Sequence, residues 1–231
     1  MANDLPPHID EYKRAVDAPI LVPREPTPRY SSSSFGFCDR KTYFKKLGTP
    51  SIHRLTFEAE CRMAIGNTVH DIIEKRLQRK YGARCVSEIE DISLFVTLDG
   101  VELEISTKPD AIIFTDTPET DFIAEVKTGR KVIHTKAVDV GYQMQLACYK
   151  KKFGVSLGIF HLVDRDVFSQ TIRLVDEKKA WKMVLDKLAY LEDCIAKGEP
   201  PPIGADKSKY ACRKGICCEY ADLCYGEQYA P

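Results

Sequence analysis

The cysteines at the two ends of this chain constrain its folding most. Cys38 stands near one end, and Cys212, Cys217, Cys218 and Cys224 crowd the last 20 residues. Four thiolates drawn from distant parts of a chain can hold zinc or an iron–sulfur cluster, and such a site ties the two ends together. It also replaces the core that a short, loop-rich tail cannot bury. The chain has nine cysteines in all, an odd count that argues against a fully paired disulfide framework. The opening residues, MANDLPPHIDEYKR, carry no apolar leader. The expectation is therefore an intracellular, reducing (cytoplasmic) setting, where cysteines serve as ligands, catalysts or small buried hydrophobes. Cys61, Cys85, Cys148 and Cys194 fall within regular elements and read as buried hydrophobes.

With 231 residues, 44% hydrophobic and 29% charged, the chain can bury a substantial single core. No apolar run approaches the roughly 18 residues of a membrane span, so no membrane partner is expected. Thirty-four basic residues balance 34 acidic ones. Global charge thus offers no attraction to nucleic acid. Local basic runs (Arg40, Lys41, Lys45 and Lys46; Lys127, Arg130 and Lys131; Lys150 to Lys152) read first as solvated faces, and matter only if they line a functional cleft.

Six of the 13 prolines lie within residues 1–30, which reads as an irregular Pro-rich arm before a domain at 31–225. A short helix should carry Cys38, Tyr43 and Phe44. Ile65, Val69, Ile72, Ile73 and Leu77 recur at helical spacing, so a helix is expected from Thr56 to Tyr81, with His70 on it. Apolar runs at 92–98 and 101–105 flank Asp99-Gly100, a hairpin signal. Further strands are expected at 110–114, 122–127, 155–163 and 167–174. Helices are expected from 137 to 153 and, capped by Asp176, to Gly198. This order of elements predicts an α/β fold with one mixed central sheet and flanking helices.

Lys108-Pro109-Asp110 and Glu125-Val126-Lys127 carry the chemistry. Each motif starts or ends an apolar strand. Glu125 and Lys127 are two apart and share one strand face. Val126 points the other way, into the core, and leaves its backbone carbonyl available as a ligand. A carboxylate beside an ammonium suits phosphodiester hydrolysis, in which a hard cation neutralises phosphate charge and a lysine orients or helps deprotonate the attacking water. His70 is compatible with Mn²⁺ as well as Mg²⁺. Gln145 and Tyr149, four apart on one helical face, can support the lysine or touch phosphate. Taken alone, Glu125 and Lys127 would read as a weak surface ion pair. The preceding Pro109-Asp110 changes that reading.

His70, Pro109-Asp110, Glu125-x-Lys127 and Gln145-x-x-x-Tyr149, in this order and flanked by cysteines, resemble the RecB-like nucleases of the PD-(D/E)xK superfamily. The likeness is strongest to the CRISPR-associated RecB-like exonucleases (the fourth Cas family) and to related phage exonucleases, and it spans about residues 31–225. It implies a restriction-endonuclease-like core and metal-dependent DNA exonuclease activity. Its metal ligands would be His70, Asp110, Glu125 and Val126, its catalytic residue Lys127, and its supporting residues Gln145 and Tyr149. DNA, single-stranded or with single-stranded ends, would be the substrate. CRISPR adaptation or recombination proteins would be the partners.

The same resemblance implies an iron–sulfur cluster, usually 4Fe–4S, held by one early and three late cysteines. Cys38 and Arg40 match the family's C-P-R segment, with Asp39 in place of its proline. Cys218, Tyr220 and Cys224 match its C-P-Y-x-x-L-C tail. The usual CxxC pair is absent, because Gly215 occupies that place. The assignment is Cys38, Cys212, Cys218 and Cys224, with Cys217 as the alternative third ligand and 2Fe–2S left open. Two competing readings are a DNA-binding adaptor with little cleavage of its own and a zinc-binding interaction protein.

Overall fold

A computed structural model describes residues 7–36, 38–87, 89–130, 132–134, 138–174, 178–203 and 218–225. Helix α1 (Pro7–Asp17) and strand β1 (Ile20–Arg24) occupy the segment expected to be an irregular arm. The prolines there do not prevent a helix that begins at one of them. Nor do they prevent an edge strand, since β1 pairs only with β3 (Ser51–Leu55) in a two-stranded antiparallel sheet. Between them, β2 (Tyr30–Ser31) leads to helix α2 (Asp39–Lys46), with Cys38 at its N-cap.

Helix α3 (Phe57–Tyr81) matches its expected span, and the Thr56 side chain caps it by accepting from the Ala59 N–H at 3.3 Å. Its core stripe is narrower than the sequence pattern suggests. Val69 and Ile73 are buried, whereas Ile65 and Ile72 are exposed. Strands β5 (Ile92–Leu98) and β6 (Val101–Thr107) form the anticipated hairpin. Its turn places Asp99 at φ 47° and Gly100 at φ 82°, the left-handed pair that such two-residue turns require.

The single mixed sheet expected from the sequence is divided instead. β5, β6 and β2 form a three-stranded sheet, with β2 parallel to β6. A separate five-stranded sheet has the order β10 (Gln170–Leu174), β9 (Leu157–Asp164), β8 (Phe122–Gly129), β7 (Ala111–Ile113) and β4 (Cys85–Ser87). The division falls between β6 and β7, at Lys108, Pro109 and Asp110. Proline cannot donate to a ladder, so the chain leaves one sheet there and enters the next.

β8 and β9 are parallel, and helix α4 (Val140–Phe153) makes the crossover between them. α3 packs on one face of the sheet, where Val69 and Ile73 meet Val126 and Val163. α4 packs on the other, where Leu146 and Tyr149 meet Ile112, Ile123, Phe160 and Leu162. A second core joins α4, the hairpin and helix α5 (Lys178–Lys197), through Met144, Leu103, Ile105, Val184, Leu188 and Leu191. Asp176, expected to cap α5, lies outside the described residues. α4 also runs unusually close to the segment before Cys38. A Cβ on Gly141 would lie 2.1 Å from the Gly36 Cα, so both positions need glycine for this approach.

Candidate active site

Strand alternation on β8 decides which residues meet. Val126 is 1% exposed and points toward α3. Glu125 and Lys127 point the other way, toward α4. Glu125 is 3% exposed, an unusual place for a carboxylate. Its Oε1 accepts from Lys127 Nζ at 2.7 Å and from Gln145 Nε2 at 2.9 Å, while its buried Oε2 has no hydrogen-bond partner. The same Gln145 nitrogen donates to the Tyr149 hydroxyl. Tyr149 also bonds Ser32, in the segment pressed against α4. Gln145 and Tyr149 therefore orient Glu125 from behind.

Asp110 stands where β6 has broken off and β7 begins. Its Oδ2 accepts from the Val126 backbone N–H at 2.7 Å, which fixes it to the strand carrying Glu125. Its Oδ1 lies 3.2 Å from His70 Nδ1 on α3. One potential ligand atom each from His70, Glu74 and Asp110 lie within 4.8 Å of one another, the one such convergence of three potential ligands among the described residues. Glu74 is absent from the sequence-derived site. The signal for it was present: it lies four positions after His70, one helical turn along the same face. Glu125 is not part of that triple, but its charge acts on both His70 and Asp110.

The electrostatics follow from burial. Burial pushes the Glu125 carboxyl up to about 7, against the pull of Lys127. For Lys127, burial works downward, but Glu125 and then Asp110 outweigh it, so the ammonium is favoured. That ammonium sits 4.8 Å from the Tyr142 ring centroid, a cation–π contact that sequence reading missed. Tyr142 lies three positions before Gln145, on the same side of α4. The hydrogen bond to Asp110 raises His70 despite its burial. Burial drives the Tyr149 hydroxyl far above the ordinary phenol range, so it stays neutral.

The cysteine assignment is partly within reach. Cys212 and its alternative Cys217 lie outside the described residues. Cys38, Cys218 and Cys224 are partly buried and form no disulfide among the described residues. The helix that follows Cys38 packs on the tail: Lys41 pairs with Glu219 at 2.9 Å, and the Phe44 and Tyr220 rings lie 5.6 Å apart. Tyr220 also donates to the Thr49 carbonyl at 3.3 Å. Burial raises the Cys218 thiol, and Glu219 and Cys224 add to the effect. Thiolates here need compensating positive charge. Of the other cysteines, Cys148 and Cys194 are buried as expected, but Cys61 and Cys85 are only partly so, because they lie toward the surface side of α3 and on the edge strand β4.

No helix of the described residues is long and apolar enough to cross a membrane. No family model matches the chain, and no curated protein matches it. Among solved structures, an alkaline exonuclease (LHK-Exo) from Laribacter hongkongensis is 16% identical, with a TM-score of 0.45, over 74% of this chain and 92% of that one. The same exonuclease in complex with dAMP gives 16% identity and a TM-score of 0.45, over 74% and 91%. The crystal structure of SSO0001 is 19% identical, with a TM-score of 0.51, over 71% of this chain and 76% of that one. This last likeness is one of fold: a mixed α/β arrangement with helices flanking mixed sheets.

Proposed function

We propose that the chain is a divalent-cation-dependent DNA nuclease, an exonuclease with a restriction-endonuclease-like core at residues 31–225. The observation that carries this reading is Glu125: a 3% exposed carboxylate, held by Lys127 and Gln145 on one oxygen and left without a partner on the other. A buried carboxylate oxygen without a partner is costly unless something cationic satisfies it. The donor set is all imidazole, carboxylate and carbonyl, which suits Mg²⁺ or Mn²⁺. His70, Asp110, Glu125 and the Val126 carbonyl would hold the ion.

Bound there, the ion supplies charge neutralisation at a phosphate and acidifies water. The chain's own residues do the rest. Lys127 Nζ, kept protonated by Glu125, presents positive charge to a phosphate oxygen rather than acting as a free base. Gln145 and Tyr149 lock the Glu125 carboxylate. Asp110 holds His70 in place while itself fixed by the Val126 N–H. Cleavage of end-labelled single- and double-stranded DNA is expected with Mg²⁺ or Mn²⁺ and to vanish in excess EDTA. Undiminished cleavage in EDTA overturns the cation site.

The same reading includes an iron–sulfur cluster on Cys38, Cys212, Cys218 and Cys224, and a role in DNA-end processing with CRISPR adaptation, phage or repair proteins. Its support is the motif resemblance, together with the packing of the Cys38 helix on the Cys218 tail. Cys218→Ser is expected to lose visible absorbance and iron and to melt at lower temperature, because the binding energy of a structural cofactor is folding energy. Cys217→Ser should keep its colour. Anaerobically purified protein that carries one zinc and no iron removes the cluster.

A further inference from the structure

We propose that Tyr142 is a positioning residue for Lys127: its ring fixes the lysine ammonium in the site without neutralising it. The inference deepens the nuclease reading and rests on the role which that reading gives Lys127. Lys127 Nζ lies 4.8 Å from the centroid of the Tyr142 ring. The ring is itself held. Phe160, fully buried on β9, packs against it with centroids 6.0 Å apart and planes at 39°. The first turn of α4, which carries Tyr142, is fastened twice. Asp139 caps it by accepting from the Gly141 N–H at 2.7 Å. Gly141 then packs on Gly36 so closely that neither position has room for a side chain. Among the described residues the Tyr142 hydroxyl has no hydrogen-bond partner, so the ring is what Tyr142 offers the site.

An ammonium carries three N–H donors and no acceptor. Glu125 takes one of them at 2.7 Å. A second carboxylate would hold Nζ as firmly, but it would take another donor and cancel the charge that a phosphate must meet. A ring face attracts the charge through its quadrupole and leaves the remaining N–H groups to phosphate oxygens. It also holds Nζ independently of how Glu125 divides its own charge. Burial strengthens the contact, because the lysine side chain is 18% exposed and cation–π attraction grows as water is excluded. Tyr142, Gln145 and Tyr149 follow one another at three- and four-residue steps on α4. One helix face therefore addresses both members of the pair, Gln145 through Glu125 and Tyr142 through Lys127.

The test keeps the shape of the ring and changes its electrons. Tyr142→Phe, followed by progressively fluorinated phenylalanines at this position, weakens the negative ring face in steps. Tyr142→Phe should retain most of the single-turnover cleavage rate, and each added fluorine should lower it. Tyr142→Leu should lose on the order of 3–30-fold, the rate equivalent of one cation–π contact. An aromatic that only fills space would show no dependence on fluorination. The contact is read separately, in the cation-free protein, from NMR spectra of ε-¹³C-labelled lysine. The Lys127 ε-methylene signal, identified by its loss in Lys127→Gln, should lie upfield through the ring current and return to the ordinary position in Tyr142→Leu. Circular dichroism checks folding, and the fluorinated series decides if the leucine protein does not fold. An ordinary Lys127 signal in wild type, a flat fluorination series, or wild-type cleavage by folded Tyr142→Leu each overturns the positioning role. A Tyr142-dependent Lys127 signal in a protein that cleaves no DNA with Mg²⁺ or Mn²⁺ instead sinks the nuclease reading and keeps the ring's hold on the lysine. Cleavage that is indifferent to the ring does the reverse.

Discussion

Replacing Lys127 with alanine should slow DNA cleavage by about 100-fold or more, the usual scale for removing a positioned charge or proton-transfer group. The ammonium is held 2.7 Å from Glu125, and its side chain is 18% exposed. It lies over the Tyr142 ring and is kept charged by Glu125 and Asp110, which overcome the opposing effect of burial. Truncation removes that charge and leaves Glu125 with Gln145 on the same oxygen. Stability should fall as well, because a buried carboxylate has lost its partner. Lys127→Gln, which retains a donor, is the companion variant in case the alanine protein does not fold. Single-turnover rates on end-labelled DNA read the effect. A folded variant of either kind that cleaves at the wild-type rate places the chemistry elsewhere.

The second large effect is on cation binding as pH changes. Burial holds the Glu125 carboxyl near 7 in the cation-free protein. A ligand must release its proton to bind, so Mn²⁺ affinity should fall by at least about 10-fold from about pH 8 to about pH 6. His70, also raised, adds a proton that must leave and steepens the fall. The stability of the cation-free protein runs in the opposite sense. Glu125's contribution is fully present below its unfolded value of 4.5 and is lost as pH rises through about 7. His70 follows the same direction, since its contact with Asp110 favours the folded state only while the ring is protonated. Mn²⁺ should therefore raise the melting temperature more at about pH 8 than at about pH 6. Equal rises at both ends of this range contradict a buried, cation-binding Glu125.

Much of the candidate site's geometry was legible because local rules were broken in the sequence itself. A charged pair sits inside the apolar run of β8, and a proline-aspartate stands where a strand should continue. Alternation on one strand placed Glu125 and Lys127 together, and helical spacing did the same for Gln145 and Tyr149. What Gln145 and Tyr149 touch depends on α4 lying across that strand face, a long-range packing result. Glu74 did not stand out in the sequence, because a Glu one turn from a His is common on helices. Its place beside His70 is completed by Asp110, a residue distant in sequence that packs opposite the helix.

The sequence by itself determined the main elements from α3 to α5 except the edge strand β4, the hairpin turn at Asp99-Gly100 and the shared face of Glu125 and Lys127, because these depend on neighbours a few residues apart. Tertiary structure decided the division into separate sheets and the ordering of residues 7–31 as helix and strands. It also decided the packing of the Cys38 helix on the tail at Glu219 and Tyr220. Those outcomes rest on contacts between segments far apart in the chain, where local propensity carries little information and the burial of apolar faces chooses the partner.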